Sequence, residues 1–536
     1  MNRNHTSMYR DGLRNYEFDD SDDNYDDDFN YSDNFSHDQN YYRNYNPNQA
    51  QNMPKYNPNQ AQYMPKYNPN QAQNILGYIP NANSNTNRKN TPKYSQYKSQ
   101  TLSQSNSKYP GTKFTNTNSD EDDNNIYQDA LMSNLLAYTN KNNYSSPEEK
   151  KPTECRIDFV KHILEGSSKL RPMIDFDNYN TETATNGRLN KPIVNIGDLL
   201  TSMNVKLIYL KSGTTGHTFK AVSRINKNVA FAVKVCAYPK DEYGHMDNSC
   251  RPENAELLML KLLSYFVING STPHFVLPIG TIKASITNFI KVDKFIDLNN
   301  QKNKTYKEFI ERYHAGDFEN FVSILISEWC NGGDLLDYIK KNYTTMTTRI
   351  WKVIIFQLLF TLALVHEKYP SFRHNDMKAN NILVQLTDTQ NRANNRFYKY
   401  NLDNVEFVIP NIGLQIKIWD FDFACIDGII ENNKVNADWT KKINISKKQN
   451  RYYDVHYFFN TLISKRFFPQ FYDENGAPQE IIDFVHRIIP EPYRNGGPYV
   501  NKKGRILVDT EITTPYRIIM TDPLFARYRY VKSQRH

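Results

Sequence analysis

Hydrophobic positions are unevenly spread along this chain. From Met1 to about Ser145, Asn, Asp, Gln, Ser and Tyr dominate, and aliphatic residues are too sparse to offset the conformational entropy of ordering. Residues 1–145 are therefore predicted to be disordered. A transition follows, in which IYQDALMSNLLAY (126–138) and IDFVKHIL (157–164) space apolar residues as short helices do. Polar, proline-containing stretches separate them, and residues 146–204 read as a linker with short helices. Beyond it, VKLIYL (205–210) and VAFAVKVC (229–236) are β-rich, AELLMLKLLSYFV (255–267) is helical, and FVSILISEW (321–329) reads as a strand. Mostly helical patterns come after. This order predicts an α+β fold in which a small sheet lobe, 205–330, precedes a larger helical lobe, 331–530. The longest apolar stretch, Ile350 to His366, is interrupted by Lys352 and Gln357. It falls short of the ~20 apolar residues a membrane span requires, so it is expected to be a buried helix.

Composition sharpens the tail more than the body. An eleven-residue unit occurs three times from Tyr45, as YNPNQAQNMPK, YNPNQAQYMPK and YNPNQAQNILG. Pro47, Pro58 and Pro69 recur in every copy and disfavour helix, so the repeat is extended rather than a helical hendecad. It could bind a partner multivalently; replication slippage in a tolerated tail is the plainer alternative. The chain of 536 residues carries a formal charge of +8 although EFDDSDDNYDDDF (17–29) is strongly acidic, so the remainder is more basic than the average. With no aromatic-basic motif, no specific nucleic-acid contact is predicted, and the charge reads as a solvated surface. Five scattered cysteines, with no C-x-x-C, point to a reducing compartment and against a zinc site. The polar, acidic start lacks the basic and apolar runs of a secretory signal.

Candidate chemistry is concentrated in RHNDMKANNILV (373–384) and KIWDFDFA (417–424). His374, Asp376, Lys378 and Asn381 fit H-x-D-x-K-x-x-N, and Asp420 opens an Asp-Phe-Asp; together they read as a phosphoryl-transfer site. Upstream, LKSGTTGHTFKAV (210–222) places a Gly-x-x-Gly turn, Gly213 to Gly216, between two β-like segments. Its backbone amides could approach phosphate oxygens. Lys234 lies on an apolar strand and needs a counter-charge. Glu256 is the better candidate, because Leu257, Met259, Leu260 and Leu263 put it beside the buried face of a helix, whereas Glu253 has poorer spacing.

These motifs, in this order, resemble the eukaryotic-type protein kinase family over roughly 205–530, and Lys378 resembles its serine/threonine class. The resemblance implies a bilobal protein-kinase-like fold and an ATP- and Mg2+-dependent transfer, with Mn2+ as an alternative metal, to serine and threonine hydroxyls of protein substrates. Asp376 would orient or accept the substrate hydroxyl, Lys378 would neutralise the γ-phosphoryl, and Asn381 and Asp420 would hold the metal. ATP would lie against Leu210, Lys211, Ser212, Gly213, Thr214, Thr215, Gly216, His217 and Thr218, with Lys234 on its phosphates and Glu256 behind the lysine. In SEWCNGGDLLDY (327–338), the Glu328 carbonyl and the Cys330 amide would meet adenine, Ser327 would be the small gatekeeper, and Asp334 would touch the ribose or simply cap a helix. Asp454 matches the aspartate that anchors the catalytic loop.

Departures from the pattern are informative. Lys211 stands for the first glycine of the loop, Thr218 for its valine, Asn375 for an arginine that clamps an activation-loop phosphate, and Asp422 for the Asp-Phe-Gly glycine. Asn375 therefore predicts that loop phosphorylation is not the on-switch, and Asp422 is expected to place a negative charge near the metals. No Ala-Pro-Glu precedes Asp454, and NRANNRFYKYNLDNVEFVI (391–409) looks like an insertion between two strands. A catalytically weak pseudokinase scaffold is the alternative reading, and a small-molecule or lipid phosphotransferase a third. The Asn-rich composition and TPYRIIMTDPLFARY (514–528) are similar to serine/threonine kinases of giant DNA viruses, distantly including the poxvirus assembly kinase. That similarity implies host cytoplasm, with packaging in particles as a further expectation.

Overall fold

The computed structural model describes residues 152–179, 189–213, 216–227, 229–292, 296–387 and 396–531. The expectations for the acidic segment, the repeats and the 126–138 helix lie outside the described residues.

The short helices expected ahead of the first strand pack on the small lobe. Helix α1 (Pro152–Glu165) and helix α2 (Ile196–Ser202) fall in the stretch read as a linker, yet Val160, Leu170, Ile174 and Ile196 are buried in the common core. Backbone bridges tie Pro172 to Gly280 and Ile193 to Lys283. Short apolar patches broken by prolines look like a linker in one dimension; here they cover a sheet edge that would otherwise be exposed.

Strands β1 (Val205–Ser212), β2 (His217–Ser223) and β3 (Ala230–Pro239) lead to helix α3 (Pro252–Ile268). Then come β4 (Pro278–Ser285), helices α4 (Ile286–Val292) and α5 (Lys304–Ala315), and β5 (Phe318–Glu328). The five strands form one antiparallel sheet in the order β1-β2-β3-β5-β4. On β3, Phe231 is buried and burial then runs unbroken from Val233 to Tyr238, as in a strand covered on both faces. Helix α3 buries nearly its whole length, including Leu257, Met259, Leu260 and Leu263.

The large lobe starts with helix α6 (Leu335–Asn342) and the core helix α7 (Thr348–Lys368), followed by β6 (Phe372–Arg373), β7 (Ile382–Leu386), β8 (Phe397–Leu402), β9 (Val405–Pro410), β10 (Leu414–Ile418) and β11 (Cys425–Ile426). Helices α8 (Asp438–Lys441), α9 (Tyr453–Leu462), α10 (Gln479–Ile488) and α11 (Pro515–Thr521) and strand β12 (Arg529–Val531) complete it. Helix α7 is long and apolar enough to cross a membrane by composition alone, but most of it is buried inside the lobe. Gln357 within it is used: its side chain donates to Leu414 O and accepts from Ile416 N. The insertion forms the β8–β9 hairpin between the paired strands β7 and β10, and β12 joins it as a third strand. Phe356 of α7 meets Tyr400, Phe407 and Phe525 there.

Candidate active site

The glycine-containing hairpin forms as the spacing predicts. Ser212 faces His217 in register and Gly213 N donates to Gly216 O at 2.9 Å. Gly216 is obligatory for a second reason: a Cβ there would lie 2.7 Å from Cys236 Sγ and 3.3 Å from Lys234 Cε. Leu210 is the extra residue of an irregularity between Tyr209 and Lys211 and stays exposed. The His217 ring is buried against Tyr306 and Phe309 and bonds Ser212 Oγ at 2.7 Å. Its side chain thus serves the lobe core, and only its backbone is available to a phosphate. Thr218 lies opposite Lys234 in the β2–β3 ladder. Thr214 and Thr215 are outside the described residues.

Lys234 has the partner chosen for it. Its Nζ is 2.7 Å from Glu256 Oε1 and 2.8 Å from Asp420 Oδ1, so one ammonium links β3, α3 and the Asp-Phe-Asp loop. Burial opposes the charge on Lys234, but Asp420 and Glu256 hold its pKa well above the usual value. Burial pushes Glu256 up to about 7, against the pull of Lys234. Glu253 pairs instead with Arg251, at 3.1 Å.

On the facing loop, Asn381 Nδ2 donates to Asp376 O and Asp376 Oδ2, at 2.9 and 2.8 Å, and Lys378 Nζ lies 3.6 Å from the same carboxylate oxygen. Burial alone would raise the Asp376 carboxyl; the charges of Lys378 and Arg505 bring it down to about 2. Asp454, at the start of α9, accepts from the backbone N–H groups of His374 and Asn375 at 2.7 and 2.9 Å. Asn375 and Asp420 both adopt positive φ, 62° each, a region that Asn and Asp visit more readily than most residues. Phe421 lies against His374 and Phe275.

Between the lobes, Asp334 accepts from Asp337 N at 3.0 Å as the N-cap of α6 and pairs with Lys211 at 3.4 Å. The capping alternative is therefore realised, and Lys211, in the first-glycine position, reaches across the cleft. Gly332 N donates to Val384 O, and a Cβ on Gly332 would collide with Val384 at 2.6 Å. Cys330 is buried, and burial pushes its thiol up to about 12. Ser327 is buried opposite Ala232.

Several contacts were not anticipated from sequence. Asp422 does not present an uncompensated charge: it is buried in an ion pair with Lys434. Asn375 Nδ2 donates to Phe423 O and Ser446 O, both at 3.1 Å, bridging segments on either side of the loop. The Glu328 side chain is held by Arg156 of α1 at 2.8 and 2.6 Å, and Arg156 also bonds Pro273 O and Phe275 O. Arg505 pairs with Asp376 Oδ1 at 2.5 Å. The only sequence signal for Arg505 is the turn NKKG before it, and nothing in that turn specifies a partner 129 residues upstream.

A five-stranded small lobe, a helical large lobe, and a lysine–glutamate pair facing an Asp–Lys–Asn loop define a protein kinase. The sequence model of poxvirus serine/threonine protein kinases matches residues 256–488. A protein of Acanthamoeba polyphaga mimivirus bearing the name "Putative serine/threonine-protein kinase" is 64% identical over 430 residues, covering 80% of this chain and 91% of that protein. A second mimivirus protein with the same kind of name is 29% identical over 183 residues, 32% of this chain and 45% of its own length. A Wee1-like protein kinase of Xenopus laevis is 33% identical over 87 residues, 16% of this chain and 14% of its own length. The chain belongs to the serine/threonine protein kinases of the giant-virus type.

Proposed function

We propose that the chain transfers the γ-phosphoryl group of ATP, with Mg2+ or Mn2+, to serine and threonine hydroxyls of proteins. The observation that carries this reading is the Lys234 ammonium held between Glu256 and Asp420, opposite the hydrogen-bonded Asp376 and Asn381. Phosphoryl transfer needs positioning and charge neutralisation more than covalent chemistry, and these groups supply both. Lys234 would meet the α and β phosphates, Lys378 the transferred group, and Asp376 the acceptor hydroxyl. Asp420 and the Asn381 side-chain oxygen are hard donors suited to a metal that takes the remainder of its shell from phosphates and water.

The scaffold alternative rested on Lys211, Asp422 and the unrecognised substrate platform. Lys211 and Asp422 each have a counter-charge, Asp334 and Lys434. The neutral bridges from Asn375 to Phe423 and Ser446 support activity without a loop phosphate. The test is transfer of labelled γ-phosphate from ATP to generic acidic and basic proteins, by protein prepared free of phosphate. Labelled phosphoserine or phosphothreonine, abolished by Asp376→Ala, is the expected result. ATP binding without transfer in either metal would overturn the reading, and ATP turnover without protein labelling would move it to a small-molecule acceptor.

A further inference from the structure

The match to the poxvirus kinases ends at residue 488, yet the chain beyond it returns to the centre of the site. Residues 499–507 form a tight hairpin in which Val500 bridges Ile506 and Leu507 N donates to Tyr499 O. Asn501 Oδ1 accepts from Lys503 N and Arg505 N, both at 2.9 Å, and Gly504 supplies the left-handed turn at φ 82°. Asn460 of α9 donates to Gly504 O at 2.8 Å, Asn444 donates to Ile506 O at 2.9 Å, and Ile506 is fully buried. A surface loop is thus fastened at successive residues, and the side chain it delivers inward is Arg505.

The Arg505 guanidinium has a fixed seat. One terminal nitrogen donates to Asn375 O and, at 3.1 Å, to Tyr453 Oη; the other donates to Asp376 Oδ1. The guanidinium lies 4.1 Å from the centre of the Tyr457 ring. Asp376 Oδ2 is meanwhile held by Asn381 and Lys378, so the carboxylate is gripped at both oxygens. A buried ion pair gives little stability that well-packed apolar side chains would not give equally. Its directional hydrogen bonds, in contrast, fix a rotamer.

We infer that Arg505 is a positioning residue for the reaction: its seated guanidinium fixes the orientation of the Asp376 carboxylate toward the acceptor hydroxyl. This rests on the phosphotransfer reading above. The hairpin of residues 499–507 thereby supplies, from a C-terminal segment, part of the catalytic-loop support.

The test compares full-length wild type, Arg505→Ala, Arg505→Lys and Asp376→Asn for kcat, KM for ATP and thermal unfolding, with and without added guanidinium ion. Misplacing a reacting group by about 1 Å costs roughly 100-fold, so Arg505→Ala should lose about 10- to 100-fold in kcat with KM for ATP unchanged. Arg505→Lys, which keeps the charge but not the fork, should be intermediate. Guanidinium should restore activity to Arg505→Ala and none to Asp376→Asn. Wild-type kcat in Arg505→Ala, beside an inactive Asp376→Asn, would overturn this inference alone. A raised kcat would also overturn it, marking the contact as a latch. Equal losses in both Arg505 variants, without rescue and tracking unfolding, would reduce the residue to a structural role. An inactive wild type would overturn the phosphotransfer reading and this inference with it.

Discussion

Lys434→Met isolates the ion pair made by Asp422 of the Asp-Phe-Asp loop. The change removes an ammonium while keeping an unbranched side chain, and leaves Asp422, with 8% side-chain exposure, without the partner that touches it. The remaining groups cannot substitute. Lys234 is already shared by Glu256 and Asp420, and Asn432 donates to the Asp422 backbone carbonyl rather than to its carboxylate. Removing one member of a buried pair costs about 3–5 kcal/mol. Against a typical domain stability of roughly 5–15 kcal/mol, that is a substantial share. With a slope of about 2–3 kcal/mol per molar urea, the midpoint should fall by about 1–2.5 M. Asp422→Gly combined with Lys434→Met removes both charges and should recover most of the loss, because the cost lies in the stranded carboxylate and not in the missing attraction. Urea unfolding of the two single variants and the double variant measures this directly. A Lys434→Met protein within about 1 kcal/mol of wild type, or a double variant as unstable as the single one, would refute the reasoning.

Two further outcomes are expected. Arg156→Ala should strand the Glu328 carboxylate at the end of β5, where the two partners are 16% and 14% exposed; roughly 3 kcal/mol should be lost, and proteolysis between 152 and 165 should accelerate. His366 and His456 are buried, and burial lowers each from 6.5 to about 4. The unfolded chain therefore takes up these protons first as pH falls, so their stabilisation is complete above 6.5 and is lost toward pH 4, about 3 kcal/mol each. Thermal unfolding at pH 7.5 and 5 should show a smaller pH effect in His456→Gln than in wild type, and identical effects would exclude the histidine as a cause.

Local pattern carried the interior of both lobes. The strands at 205, 230 and 318, the helix at 252 and the buried helix at 348 follow from periods of two and 3.6, and Glu256 could be chosen over Glu253 because burial of its helix face is written in the leucines beside it. Asp376, Lys378 and Asn381 are legible because they stand in one short motif, and Asp420 because it opens an Asp-Phe-Asp in another. The misses have a common physical origin. Arg156, Lys434 and Arg505 act across 172, 12 and 129 residues, and a charge on a polar segment looks solvated until tertiary structure buries it. For the same reason Asp422 looked like an added negative charge, since its neutralising lysine belongs to no motif. In the 146–204 stretch the sequence shows the short helices but not their packing on a sheet edge, because that edge lies in another segment.

The separation of 129 residues between Asp376 and Arg505 also has a consequence in time. At ribosomal rates of about 5–20 residues per second, the catalytic loop exists for roughly 6 to 26 seconds before the arginine that seats against it has been made. Its other brace, Asp454, arrives sooner, 80 residues after His374. The nascent chain can thus complete its small lobe, and the lysine–glutamate pair within it, while the loop opposite is still unsupported. For that interval the Asp376 carboxylate has only Asn381 and Lys378 to hold it.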